Sequence, residues 1–348
     1  MAVDTPTLQV KNLQTTFATR KGLVKAIQNV SYDLFPGKTL GVVGESGCGK
    51  SVTSYSIMRL IKEPGKVSGG EIWFQSPDSA PQSPSLPPSQ PGSQPRSHTA
   101  TSRQNLLQIS ESAMQDIRGR HIAMIFQEPM TALNPLLTIG QQIDEQILRH
   151  ERISSTESKQ RSVDMLNQVG IPSPSDRYNS YPHQLSGGMR QRAMIAMALS
   201  CNPDVLIADE PTTALDVTIQ AQILELFENL QSKFNTSIQF ITHDLGVISE
   251  LSDDVMVMYA GHVCEKTSSE NLFSNPKHPY TAALLESRPR RGQKHTRLKT
   301  IEGTVPALHD LPPGCPFANR CSRALAECSI HKPLLTNSTH AVACWNPL

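Results

Sequence analysis

Along residues 8–43 apolar and polar positions alternate, with Gly22 and Pro36-Gly37 as breaks; a period of two predicts strands that bury one face and pair antiparallel. Residues 40–43, 71–74 and 122–126 add three short strand-like runs. Residues 205–208 and 238–241 are continuously apolar, the pattern of strands covered on both faces in a parallel sheet. Residues 255–266 predict a hairpin turning at Ala260-Gly261-His262. Between residues 139 and 170 the apolar positions Ile143, Ile147, Leu148, Val163, Leu166 and Val169 recur at helical spacing. A helical subdomain is therefore expected over about residues 130–200. Pro172, Pro174 and Pro182 punctuate it, and its last, alanine-rich helix stops at Asn202-Pro203.

With 348 residues and 38% hydrophobic content the chain can bury a sizeable core in two or three domains. Its 32 basic and 31 acidic residues balance to +1, which offers nothing to attract a nucleic acid or an anionic membrane, so a membrane role must come through partners. No apolar run approaches a bilayer-spanning length, and the first residues lack a basic-then-apolar signal region, so a cytosolic chain with reduced thiols is expected. Residues 76–105 are dense in Ser, Pro and Gln and carry little to bury. They predict a disordered surface insertion that interrupts a connection between strands; a passive spacer suits that composition better than a docking segment. Residues 288–294 read as a basic, breaker-rich linker.

The chemistry centres on residues 44–51. Gly44, Glu45, Ser46, Gly47, Cys48, Gly49, Lys50 and Ser51 fit the pattern G-x-x-x-x-G-K-[ST], between a predicted strand and a proline-free stretch suited to a helix. Such glycines let backbone N–H groups line one concavity around a polyphosphate; Lys50 can reach the β- and γ-phosphates and the Ser51 hydroxyl can hold Mg²⁺. The expected fold class is α/β: a phosphate-loop NTPase core on a mostly parallel sheet, with an N-terminal antiparallel β subdomain, the helical subdomain and a small cysteine-rich C-terminal region. A nucleotide-binding domain is expected over residues 1–285 and the C-terminal region over 286–348.

Other residues point at the same ligand. Ser186, Gly187 and Gly188 open a helix, where unpaired N–H groups and the positive end of the helix dipole favour an anion. Asp209 and Glu210 end an apolar strand, their side chains directed to opposite sides; Asp209 suits the Mg²⁺ shell and Glu210 suits polarising an attacking water. His243 follows the 238–241 strand on the same carboxyl-end side, and beside a phosphate loop a catalytic role outweighs a structural one. Phe17 offers a face for adenine, and a half-buried strand aromatic accounts for it equally well.

Cys315, Cys321, Cys328 and Cys344 stand in the pattern C-x5-C-x6-C-x15-C, while Cys48, Cys201 and Cys264 are scattered. Four thiols in a small loop-rich segment suggest a metal staple, and the spacing alone leaves Zn²⁺ and an iron–sulfur cluster open.

The loop at 44–51, Gln127, residues 185–189, Asp209-Glu210, Ala214-Leu215-Asp216 and His243, in this order, resemble the ATP-binding subunit of an ABC transporter over roughly residues 8–285, and this resemblance makes the domain expected over 1–285 an ABC-type ATP-binding domain. Met189 and Thr213 are mild departures at positions where glutamine and serine are more usual. The resemblance implies that Gln127 contacts Mg²⁺ with Ser51 and Asp209 and couples to membrane subunits, and that residues 214–216 cross to a partner. It also implies a catalytic set of Lys50, Gln127, Glu210 and His243, with Ser186, Gly187 and Gly188 reaching the ATP held by the partner's loop. Residues 275–281, 303–306 and 314–317 with Arg320-Cys321 resemble the C-terminal region of oligopeptide and dipeptide importer ATPases; nickel importers share much of it. The function so implied is ATP hydrolysis powering import of di- and oligopeptides, with import of nickel or another small solute as the alternative. The implied partners are a homologous ATPase subunit, in a heterodimer or a homodimer, two transmembrane permease subunits and an extracytoplasmic peptide-binding protein, with no nucleic acid. The chain would sit peripherally on the cytoplasmic face of the inner membrane. Some such importer ATPases carry a [4Fe–4S] cluster in this region, so a cluster on the four cysteines is expected, with Zn²⁺ as the alternative. A non-transport ABC ATPase is disfavoured by the single phosphate loop, the lack of a long heptad run and the balanced charge.

Deleting residues 77–103 is expected to leave ATPase activity nearly unchanged and to move the melting temperature little, because so few apolar side chains are lost. Differential scanning fluorimetry and a phosphate-release assay on the deletion variant check this.

Overall fold

The computed structural model describes residues 5–76, 103–213, 215–287 and 300–348. Of the insertion expected to be disordered over 76–105, residues 77–102 lie outside the described residues, as do Ala214 and the basic linker, whereas its far end is ordered: Gln104 and Asn105 form a short strand against Phe74 and Trp73. The strands are β1 (Leu8–Thr19), β2 (Gly22–Leu34), β3 (Thr39–Val43), β4 (Gly65–Phe74), β5 (Gln104–Asn105), β6 (Ile122–Ile125), β7 (Val205–Asp209), β8 (Ser237–Ile241), β9 (Asp254–Tyr259), β10 (His262–Ser268) and β11 (Ala341–Val342). Two sheets result. The first has order β2-β1-β4-β5 and is antiparallel throughout; the second has order β11-β10-β9-β3-β8-β7-β6, parallel from β9 to β6 and antiparallel at the β10 and β11 edge.

The parallel strands read as continuous apolar runs because both faces of their sheet are covered. Along β7, Val205 and Ile207 pack with residues of the antiparallel sheet, such as Leu8, Val10 and Ile27. Leu206 and Ala208 point the other way and pack with the helices, among them Ile195 and Leu199 of the helix Gly187–Leu199. The antiparallel strands have a single buried face, which is why they alternate. At the β9–β10 hairpin His262 pairs with Tyr259, and the two turn residues Ala260 and Gly261 both take positive φ, 46° and 81°, the backbone that matches the twist of a two-residue hairpin.

Helices Ile139–His150, Ser155–Gln168 and Pro174–Tyr178 form a bundle held at one carboxylate. Asp144 accepts from Ser158 Oγ at 2.8 Å, from Ser162 Oγ at 2.6 Å and from the Tyr178 hydroxyl. The helix Ile139–His150 starts from a Thr138 capping box. Among the described residues no helix is long and apolar enough to cross a membrane.

One buried polar chain joins three layers of the fold. Tyr32 of β2 donates to Gln239 Oε1 of β8 at 2.5 Å, and Gln239 Nε2 donates to Ser54 Oγ at 3.1 Å in the helix Lys50–Ile57. Burial pushes the Tyr32 hydroxyl far above its ordinary pKa, so it stays a donor. Replacing Gln239 with alanine strands the Tyr32 hydroxyl, and such an unsatisfied buried group costs about 1–3 kcal/mol. Urea denaturation of the Gln239→Ala protein should show that loss, and Tyr32→Phe combined with Gln239→Leu should recover most of it.

Candidate functional site

The carboxyl ends of β3, β8 and β7 are level, since Val42 pairs with Ile241 and Ile241 with Asp209. The chain leaving β3 enters the 44–51 loop. Gly44 (φ 154°), Gly47 (φ 77°) and Gly49 (φ 103°) carry the turn. A Cβ on Gly44 would lie 2.2 Å from the Met258 carbonyl oxygen, and one on Gly49 would lie 2.7 Å from Ile27 Cδ1, so at these two positions the loop is wedged against β9 and β2 with no room for a side chain. Lys50 is nearly buried, and its Nζ donates to the carbonyls of Gly44 at 2.8 Å and Glu45 at 3.1 Å, which holds the ammonium inside the curl.

Asp209 is fully buried and neither carboxylate oxygen has a hydrogen-bond partner. Burial raises its carboxyl above the ordinary range; the nearby Ser51 hydroxyl opposes this without completing a hydrogen bond, the Glu210 charge adds to it, and Lys50 lowers it. Two orphaned oxygens beside a hydroxyl are an oxygen-rich donor set for a hard divalent cation, so Ser51 and Asp209 fit Mg²⁺.

Glu210 sits at φ 49°, its N–H donating to the Ile241 carbonyl at 2.9 Å. That bond to the end of β8 over-determines an unusual backbone and turns the side chain away from Asp209. Three groups converge on one oxygen, Glu210 Oε2: Gln127 Nε2 at 3.2 Å, Thr213 Oγ1 at 3.1 Å and His243 Nδ1 at 3.5 Å. Gln127 comes from beyond β6 and His243 from beyond β8, so three neighbouring strands deliver one constellation. Sequence reasoning treated Thr213 only as a departure from pattern; here it helps orient the glutamate.

Ser186 caps the helix Gly187–Leu199, its hydroxyl accepting from Met189 N–H at 3.3 Å. A Cβ on Gly187 would meet nothing within 4 Å, so this helix start presents open backbone, while Gly188 faces Leu215. Gln191, one turn further on and buried, donates to the Pro211 carbonyl at 2.8 Å. It links this helix to the Asp209-Glu210-Pro211 segment. Its only sequence signal was a polar residue on an otherwise apolar helix face. Phe17 is half-buried, its ring packed over Gly65, where a Cβ would come within 2.4 Å of the ring.

Together these groups define a nucleotide-binding cassette. Residues 27–213 match the ABC transporter family model, and residues 264–328 match the oligopeptide/dipeptide transporter, C-terminal region. The chain is 48% identical to the dipeptide transport ATP-binding protein DppD of Bacillus subtilis (strain 168), over 97% of this chain and 94% of that protein. It is 47% identical to the oligopeptide transport ATP-binding protein OppD of the same organism, covering 97% and 88%. The fold superposes on the dimeric ABC transporter cassette MJ0796 with a TM-score of 0.62 at 24% identity, over 75% of this chain and 98% of that one. The chain belongs to the ABC transporter family, in the branch of dipeptide and oligopeptide transport ATP-binding proteins.

The expectation of a [4Fe–4S] cluster on Cys315, Cys321, Cys328 and Cys344, with Zn²⁺ as alternative, is corrected. Among the described residues no group of three or more His, Cys, Asp or Glu side chains is placed to hold a metal ion, and the matched family is defined by its nucleotide-binding cassette. The cysteines pack instead. Cys315, Cys321 and Cys328 join the larger apolar core; burial pushes the Cys315 thiol up to about 11 and also raises Cys321 and Cys344, which keeps them protonated. The sulfurs of Cys328 and Cys344 accept backbone N–H bonds from Leu325 and Asn346, each at 3.4 Å.

Because the folded state raises the Asp209 pKa, it binds a proton more readily than the unfolded chain, so Asp209 removes stability as pH rises from the ordinary carboxylate value to above the folded one. Asp209→Asn should abolish that component, flattening the fall in stability that begins as pH rises above the ordinary carboxylate range, in the absence of nucleotide and Mg²⁺. Denaturant melts at several pH values, with and without Mg²⁺, check it; in wild type Mg²⁺ with nucleotide should offset the loss.

Proposed function

We propose that this chain is the ATP-hydrolysing subunit that powers import of di- and oligopeptides by an ABC transporter. The observation that carries hydrolysis is the convergence of Gln127, Thr213 and His243 on Glu210 beside the Lys50 loop. Cargo is carried by the likeness to dipeptide and oligopeptide transport ATP-binding proteins along nearly the whole chain. The backbone of residues 44–49, Lys50 and Ser51 hold the phosphates, with Phe17 beside the base. Ser51, Asp209 and Gln127 hold Mg²⁺, which when bound draws negative charge off the phosphate oxygens. Glu210, oriented through its Oε2, accepts a proton from the attacking water, while His243 lies where charge develops on the γ-phosphate.

Ser186, Gly187 and Gly188 open a helix of the helical subdomain, whereas the 44–51 loop opens a helix on the sheet. Each ATP is therefore sandwiched between the loop of one subunit and the Ser-Gly-Gly turn of another, a homologous subunit in a heterodimer or a homodimer. MJ0796 is itself a dimeric cassette, also known in a post-hydrolysis state bound to ADP and Pi at 25% identity. Dimer closure expels water, hydrolysis separates the halves, and the movement passes through Gln127 to two permease subunits served by an extracytoplasmic peptide-binding protein. The subunit then works peripherally on the cytoplasmic membrane face.

Lys50→Ala should lose productive ATP binding, whereas Glu210→Gln should keep it, form a stable ATP-dependent dimer and lower kcat by about 10²–10⁴-fold. Equilibrium nucleotide binding, size-exclusion chromatography and phosphate release separate the two; normal turnover in Glu210→Gln would remove it as the general base. Proteoliposomes of the whole transporter with labelled dipeptides, longer peptides and nickel test cargo, and ATP-dependent uptake of nickel alone would refute peptide import.

A further inference from the structure

Glu45 is a carboxylate inside a loop whose other groups favour anions, and an uncompensated negative charge there would oppose a polyphosphate. Its partners come largely from the far end of the chain. The Glu45 N–H donates to the Tyr280 hydroxyl at 3.0 Å. Its carbonyl accepts from Lys50 Nζ at 3.1 Å and from Cys48 N–H at 3.3 Å. Both carboxylate oxygens accept from Arg320 Nη1, at 2.8 Å and 3.1 Å.

Arg320 is fixed before it reaches Glu45. Its Nε donates to the Glu302 carbonyl at 2.9 Å, Nη2 to the Ile301 carbonyl at 3.3 Å and Nη1 to the Tyr259 hydroxyl at 3.2 Å. The guanidinium lies over the rings of Tyr259 and Phe317, 5.8 and 6.0 Å from their centroids, and only 6% of the side chain is exposed. Tyr259, Tyr280 and Phe317 form a closed aromatic cluster with centroids 4.8–5.3 Å apart. This is a rigid mount that projects one positive charge onto the second residue of the phosphate loop. Glu45 lies between Gly44 and Gly47, both at positive φ, so the clamp adds a side-chain anchor to a stretch otherwise held through its backbone.

We propose that Arg320 is a positioning residue for nucleotide binding: it neutralises Glu45 and pins the first turn of the 44–51 loop, so the C-terminal region sets the loop's affinity for polyphosphate. The proposal rests on the nucleotide reading of that loop and adds to it a contact from outside the cassette. Its test is equilibrium titration of the full-length chain with the fluorescent analogue mant-ATP. Arg320→Met should weaken binding by about tenfold, and the deficit should shrink at high ionic strength, where charge repulsion is screened. Arg320→Lys, which keeps the charge without the fixed guanidinium fork, should fall between the two. Combining Arg320→Met with Glu45→Gln removes the offending charge and should recover most of the affinity, which a purely structural role of Arg320 would not allow. Wild-type affinity in folded Arg320→Met, or no recovery in the double variant, would overturn the proposal. Should Arg320→Met fail to fold, Arg320→Lys and the double variant decide alone: wild-type binding by Arg320→Lys together with weak binding by the double variant overturns it. A wild-type chain that bound no mant-ATP would instead refute the nucleotide reading itself.

Discussion

The register of three parallel strands governs everything else at the site. Because Val42, Ile241 and Asp209 stand side by side across β3, β8 and β7, the phosphate loop, the His243 segment and the two carboxylates leave the sheet at one level. A slip of one residue in any of these strands would exchange its two faces and carry Asp209 away from Ser51. What resists a slip is burial on both sides: β7 divides its side chains between two separate apolar clusters, and the Tyr32–Gln239–Ser54 chain ties the sheet to the layers above it.

On that frame the site is arranged by charge. Asp209 is buried with no donor, an unfavourable state that a cation relieves, whereas Glu210, one residue later, accepts from Gln127 and Thr213, with His243 alongside, and these hold its orientation. The break between them is the left-handed backbone of Glu210, held by the carbonyl of Ile241. Lys50 supplies the positive charge within the loop, and Arg320 cancels the negative charge that the loop itself brings.

The C-terminal region is fastened to the cassette at more than one point. The fully buried Glu265 carboxylate of β10 accepts from the backbones of Lys277 and His278, at 2.7 and 2.8 Å, and lies 2.6 Å from His340 Nε2. This explains why residues 275–281 form a recognisable motif although they touch none of the catalytic groups: they hold Tyr280 where its hydroxyl meets the Glu45 N–H. Through β11 the end of the chain also joins the edge of the main sheet.

Some of this was written locally and so was legible in the sequence. Alternation distinguished the half-covered antiparallel strands from the doubly covered parallel ones, and the glycines of the 44–51 loop, the Ser186 cap and the strand-ending acids are short-range patterns whose physics depends on neighbours in the chain. The cysteine spacing was legible too, yet it misled, because spacing along the chain does not state what the thiols hold; here Cys315, Cys321 and Cys328 pack against the apolar core. Gln191 against Pro211, Thr213 on Glu210 and above all Arg320 on Glu45 were decided by tertiary structure alone. The last pair is separated by 275 positions, and no local rule relates a side chain near the end of the chain to a loop near its start until the sheet and the aromatic cluster bring them within hydrogen-bonding distance.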